Sequence, residues 1–259
     1  MSSQPGKSWT RDELILAINL YCKIPFGTIH IRNPQIIALA TLLERTPGSV
    51  SYKLANLACI DPALARKGAS NVSKLDRAVW EEFFGDWNGM AFESEVLLAE
   101  KVRHVDADVQ PAVSEELAEY DVVLLVGQNR DAVVKQRVNQ GFFRKMVLSS
   151  YKNTCCITGL AVPALLNASH IVPWAADEAS RTNPKNGLCL NALHDRAFDR
   201  GLITVDEKFH VVVSSSVMAL KGEKASALQT VHGTPLRMPD RFLPDPDFLH
   251  YHRQTIFTD

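Results

Sequence analysis

Between Leu165 and Val213 the sequence changes its hydrophobic period repeatedly and marks each change with turn formers. An apolar run from Leu165 to Val172 contains His170 and is closed by Pro173. A polar loop from Asp177 to Lys185 follows, and then an Asn186-Gly187 turn. The segment after it turns helical in its second half and stops at Gly201. Leu202 to Val205 and Phe209 to Val213 are β-rich runs around a short polar turn. This order predicts a β-hairpin, a helix and a second hairpin, with Cys156 to Gly159 as a strand end and turn just ahead. Asp195 and Asp199 are four apart, so both project from one face of the helix, a spacing that can hold one hard divalent cation. His194 is one residue off that face but within reach at a frayed first turn. A lone histidine in an apolar run is usually a satisfied core residue. Here it precedes an Asn-Gly turn and a helix bearing another histidine and two aspartates.

With these residues in view, the chain resembles the HNH (ββα-metal) endonucleases, and in particular the branch found among bacterial restriction enzymes. The residues that carry the likeness are Ala168-Ser-His-Ile-Val-Pro-Trp174, Asn186-Gly-Leu188 and Leu193-His-Asp-Arg-Ala-Phe-Asp-Arg-Gly201. Gln140 to Arg144 and Tyr151 to Gly159 look like the lead-in of that branch. Trp9 to Trp87 is similar to the N-terminal part of the same proteins. The resemblance implies hydrolysis of a phosphodiester with one metal, by His170, Asn186 and His194. His170 would serve as general base, and Asn186 would orient its imidazole through the side-chain amide. The cation would stabilise charge on the phosphate and on the leaving 3′ oxygen, leaving 5′-phosphate and 3′-hydroxyl ends. Many members of the family place Asp or His directly before the catalytic histidine as a metal ligand, whereas this chain has Ser169. Two ligand sets therefore stay open: His194 with Asp199, or Asp195 with Asp199. Mg²⁺ or Mn²⁺ suits an oxygen-rich site, and His194 would favour Ni²⁺ or Zn²⁺. The family's paired zinc knuckles are missing. The five cysteines form no CxxC pair and read as buried thiols.

The N-terminal third reads as helical. Thr10 and Glu13 have capping-box spacing ahead of Leu14, Ile18 and Tyr21, and Pro25 with Gly27 ends that element. Asn33 and Thr46 can each cap a further helix with proline at its first position, Pro34 and Pro47. The short link between these two helices suggests a helix-turn-helix, with Ser49, Lys53 and Asn56 outward toward DNA. A fourth helix is expected from about Leu75 to Phe84, with Leu75, Val79 and Phe83 inward. Glu93 to Asp121 is acidic and reads in part as a linker. The sign then reverses: Arg130, Lys135, Arg137, Arg144, Lys145 and Lys152 face the single acid Asp131. Arg137, Arg144 and Lys145 are thereby candidates to track a phosphate backbone. The expected fold is α+β, with a helical domain over 1–92, an acidic linker over 93–129 and an HNH domain over 130–259.

A net charge of −1 argues weakly against a nucleic-acid partner, but the uneven distribution outweighs it. An apolar content of 46% supports a well-formed core. No run approaches a membrane span and no signal-like stretch opens the chain, so the default location is cytoplasmic. The leading expectation is an endonuclease on double-stranded DNA, in restriction or defence. A helix-turn-helix regulator with a non-catalytic HNH scaffold is the alternative. An RNA nuclease ranks lower, because the chain shows no aromatic RNP pattern. Double-strand cutting with one site per chain would favour a homodimer.

Overall fold

The computed structural model describes residues 7–62, 64, 71–106 and 128–259. They fall into two compact units, 1–142 and 143–259. No helix among the described residues is long and apolar enough to cross a membrane.

The first unit is built around α1 (Arg11–Lys23), buried along most of its length from Glu13 to Cys22. Its start is fixed as the spacing requires: the Thr10 hydroxyl accepts from the Glu13 amide, and the Glu13 carboxylate accepts from the Thr10 amide. Asn33 and Thr46 likewise cap α2 (Pro34–Leu42) and α3 (Pro47–Ile60), each with proline in the first turn. Ser73 caps α4 (Lys74–Gly85), and α5 (Trp87–Asp106) follows. Polar contacts tie α5 to α1. Asn19 donates to Ser94 and Glu95, Lys23 pairs with Glu95, and Arg11 bridges Glu82 and Glu93. Residues 93–106 of the acidic stretch are therefore part of a packed helix. The rest of that stretch up to 127 lies outside the described residues.

Three expectations for this unit need correction. Lys53 and Asn56 do not point outward; they are only 8% and 3% exposed. The Lys53 ammonium donates to both oxygens of Asp76 at 2.8 and 3.0 Å and lies over the Trp9 ring. A desolvated ammonium needs such a carboxylate, and Asp76 is held by the same capping box that starts α4. Leu75 is exposed rather than inward, because Asp76 takes the buried position while Val79, Trp80 and Phe83 supply the apolar contacts. Beside this pair, Arg45 makes a bidentate bond to Glu13 at 2.8 and 3.1 Å and covers the other part of Trp9.

In the second unit, the end of α6 (Gln128–Ser150) contributes Phe143, Val147 and Leu148 to the core. Strands β1 (Leu166–His170) and β2 (Gly187–Asn191) pair antiparallel, with His170 opposite Gly187. Helix α7 (Ala192–Asp199) packs on that hairpin, and β3 (Ile203–Val205) pairs antiparallel with β4 (Val211–Val213). The predicted order of hairpin, helix and hairpin is thus present. Gly187 admits close approach: a Cβ there would lie 2.4 Å from Val147 Cγ2 and 2.9 Å from Phe143 Cζ. The C-terminal helix α8 (Pro246–Thr255) packs on β3. Its His252 is fully buried, and burial lowers the ring's pKa to about 4.

Asp76→Ala should leave the Lys53 ammonium buried without its partner and lower unfolding stability by about 3–5 kcal/mol. Urea denaturation measures this; a loss below about 1 kcal/mol would show a pair no stronger than a surface one. His252 should make the second unit acid-sensitive. Its folded pKa lies below the unfolded value, so only the unfolded chain takes up this proton as pH falls from about 6.5 toward 4. Stability present above 6.5 is lost through that window, by roughly 3 kcal/mol at most. His252→Gln should show a shallower pH slope in thermal melts, and equal slopes would count against this linkage.

Candidate active site

His170 ends β1 and is partly buried. Its ring stacks on Phe143 at 3.9 Å between centroids, with planes 12° apart, and meets the Trp174 ring edge-on. Nε2 lies 2.9 Å from the Arg181 carbonyl oxygen. A carbonyl can only accept, so Nε2 carries the hydrogen and Nδ1 carries the lone pair of the neutral ring. Burial lowers the His170 pKa, partly opposed by the Arg181 carbonyl and by the negative charge of Asp195. Neutral imidazole with Nδ1 as acceptor is therefore the resting form near neutral pH.

Asn186 does not bond to the imidazole, and the expected contact is corrected here. The residue is fully buried, and its Oδ1 accepts from the Val172 amide at 2.7 Å. Its Nδ2 donates to the Val172 carbonyl at 3.1 Å and to the Ser180 carbonyl and hydroxyl at 3.3 Å. One amide thus closes the 173–179 loop at both ends. The bridge sits two residues after His170 and one residue before Arg181, whose carbonyl holds the ring. The physical reason is reach: a short amide buried beneath the loop satisfies its own donors and acceptors on backbone, and leaves the imidazole to a loop carbonyl. Inside the loop, Arg181 Nε donates to the Trp174 carbonyl at 2.8 Å and the guanidinium covers the Trp174 ring.

Asn191 caps α7 by accepting from the His194 amide at 3.0 Å. His194 faces inward from that first turn. It is 2% exposed, its Nδ1 lies 3.0 Å from Asn191 Oδ1, and its buried Nε2 has no hydrogen-bond partner among the described residues. Burial alone would raise the Cys155 pKa, but the neighbouring His194 and Thr158 bring it down to about 6. The neighbouring Cys156 and Cys189 thiols are pushed up by burial, as expected of inert core cysteines.

Asp195 and Asp199 occupy the other side of the helix. Asp195 Oδ2 accepts from Asn167 Nδ2 at 2.7 Å. Asp199 has its pKa raised by partial burial and then by the Asp195 charge, against the opposing charges of Arg196 and Arg200. The two carboxylates therefore repel one another, which is the situation a divalent cation relieves. Ser169 lies on the same face of β1 as Asn167 by strand alternation, and its buried Oγ has no hydrogen-bond partner among the described residues. Among the described residues no cluster of three or more His, Cys, Asp or Glu side chains is arranged for a metal. The carboxylate pair would thus depend on water and phosphate oxygens to complete a shell.

Arg144 is exposed and Lys145 half-buried on α6, in the second unit, while Arg137 is exposed on the part of α6 in the first. Several neighbours went unread in the sequence: Asn167, the Arg181 carbonyl, Phe143, and the exposed pair Arg196 and Arg200. Asn167 could have been found by alternation two residues before Ser169. The other contacts cross from one element to another and carry no local signal.

Residues 155–206 match the HNH endonuclease family. No curated protein matches the chain significantly. A solved structure titled as a modification-dependent TagI restriction endonuclease is similar at 24% identity, with a TM-score of 0.34, over 44% of this chain. The match spans 37% of that enzyme's own chain. His170, Asn186 and the carboxylate-bearing helix that follows them all lie within the segment that matches the HNH endonuclease family.

Proposed function

We propose that this chain is a divalent-metal-dependent endonuclease that hydrolyses phosphodiester bonds in DNA. The observation that carries the reading is the fixed tautomer of His170: Nε2 donates to the Arg181 carbonyl, and Nδ1 has no hydrogen-bond partner among the described residues. The buried His252 has both ring nitrogens bonded. His170 instead keeps one basic nitrogen free, close enough to Asp195 to feel its charge.

In this mechanism, Nδ1 takes the proton from an attacking water, while the Arg181 carbonyl stabilises the imidazolium that forms. Asn186 acts as a positioning residue: it pins Val172 and Ser180, and so fixes both the ring and the carbonyl that orients it. Asp195 and Asp199 would hold the cation, with Asn167 orienting Asp195. The cation supplies charge stabilisation at the phosphate and the leaving oxygen. Oxygen donors favour Mg²⁺ or Mn²⁺. His194 belongs to the support of α7 in this reading, since its ring is buried and its Nδ1 is bonded to Asn191. Arg196, Arg200 and Arg144 are exposed, and no ion pair of theirs with an acid is seen among the described residues; they would meet phosphates. A role in restriction or defence is consistent with the family resemblance.

His170→Ala should reduce cleavage at least about 10²-fold while DNA binding persists. Wild-type activity should rise with pH along an acid limb centred below the ordinary histidine value of about 6.5, because only the neutral ring accepts the proton. Asn186→Ala should reduce kcat less than His170→Ala and also lower the melting temperature. Rates, affinity and melting measured on the same preparations decide this. A stable, DNA-binding His170→Ala protein that cuts at the wild-type rate would end the proposal.

A second prediction concerns phosphate contact. Arg196→Ala combined with Arg200→Ala should weaken DNA binding and reduce the slope of log affinity against log salt by about 1–2. An unchanged slope would remove these residues from the interface.

A further inference from the structure

The helix that carries Asp195 and Asp199 is short, and its C-terminal turn holds Asp199. Short helices fray at their ends unless their last carbonyls are satisfied. Here the last turn, already bonded to the residues that follow it, gains a further partner from outside the 155–206 segment. The Phe198 carbonyl accepts from Gly201 N at 2.9 Å and also bonds to His252 Nε2 at 3.1 Å. The His252 ring stacks flat on the Phe198 ring, 3.7 Å between centroids and 13° between planes. Its Nδ1 lies 2.8 Å from Thr204 Oγ1. Because Phe198 offers a carbonyl, Nε2 must donate, so Nδ1 accepts from the Thr204 hydroxyl. Thr204 thereby selects the tautomer that can bind the helix end.

The close fit continues through the next residues. Gly201 has φ +67°, and a Cβ there would lie 2.0 Å from the Ile256 carbonyl oxygen. The Gly201 carbonyl accepts from the Thr258 amide at 3.0 Å. The C-terminal helix and the residues after it thus grip the end of α7 at three successive points: Phe198, Gly201 and, through β3, Thr204.

We infer that His252 is a positioning residue for the metal centre, holding the Asp199 turn of α7 in place through the Phe198 carbonyl with its tautomer set by Thr204. This rests on the proposed metal role of Asp195 and Asp199. It extends the functional module beyond residues 155–206 to include the C-terminal helix. His252 touches no substrate and no proposed ligand. Its effect is to keep one carboxylate at a constant distance from the other.

The test is Mn²⁺ binding to the full chain, measured by electron paramagnetic resonance without DNA. Asp199→Ala, His252→Ala, Thr204→Val and His252→Gln are compared with wild type. Far-UV circular dichroism confirms that each is folded at the assay temperature. Asp199→Ala should weaken Mn²⁺ binding most. His252→Ala and Thr204→Val should each weaken it roughly 3–10-fold, at or below the range for groups that orient a metal ligand directly. Thr204→Val keeps the shape of the strand residue, so it decides the matter if His252→Ala does not fold. His252→Gln retains one donor and one acceptor and should restore most of the affinity. Wild-type affinity in folded Thr204→Val and His252→Ala, with Asp199→Ala impaired, would show that His252 only supports the fold and would overturn the inference. Wild-type affinity in Asp199→Ala would overturn the metal reading, and this inference with it.

Discussion

The candidate site depends on one buried amide. Asn186 has no solvent exposure, so each of its polar atoms must find a partner in the protein. It finds them at Val172 and Ser180, the two flanks of the 173–179 loop. Their separation determines where the Arg181 carbonyl meets His170, and hence which nitrogen of the ring carries the proton. The Phe143 ring beneath the imidazole adds burial, which favours the neutral form. Phe143 can reach that place because Gly187 leaves room for α6 against β2. A strand end, a loop, a helix and a glycine thus converge on the protonation state of one side chain.

The carboxylates require a different kind of support, because they oppose each other. Asp195 raises the Asp199 pKa, so the helix that bears both is held against a repulsive contact. Each end of that helix is tied to a separate part of the second unit. At the start, Asn191 caps the first turn while its backbone amide donates to the Cys155 sulfur and its side chain meets His194. At the end, His252 adds a bond to the Phe198 carbonyl, and the Thr258 amide bonds the Gly201 carbonyl just beyond the helix. The family's zinc knuckles have no counterpart in the sequence. Hydrogen bonds among Cys155, Asn191 and His194, together with apolar packing, hold the same region instead. The histidine nearest the carboxylates in sequence is therefore directed into the core.

What the sequence determined by itself was local. Thr10, Asn33, Thr46, Ser73 and Asn191 all sit at helix starts, because a cap reads only the amides two or three residues ahead. Of these, Thr10, Asn33 and Thr46 were legible as caps from spacing alone. The two hairpins and the helix between them followed from period and turn chemistry, and the shared face of Asp195 and Asp199 followed from helical geometry. His170, Asn186 and the carboxylates were legible as a group because their order fits a known family pattern. The tertiary structure decided everything that depends on a partner distant in sequence. Lys53 is polar on a helix whose apolar stripe is clear, yet it faces inward because Asp76, 23 residues away, is buried beside it. His194 turns inward with its Nδ1 on Asn191, and Asn186 serves the backbone because Arg181 already holds the imidazole. Hydrophobic periodicity shows which face of a helix is apolar, but a buried polar group is placed by its partner. That partner can be identified only once the chain has brought the two together.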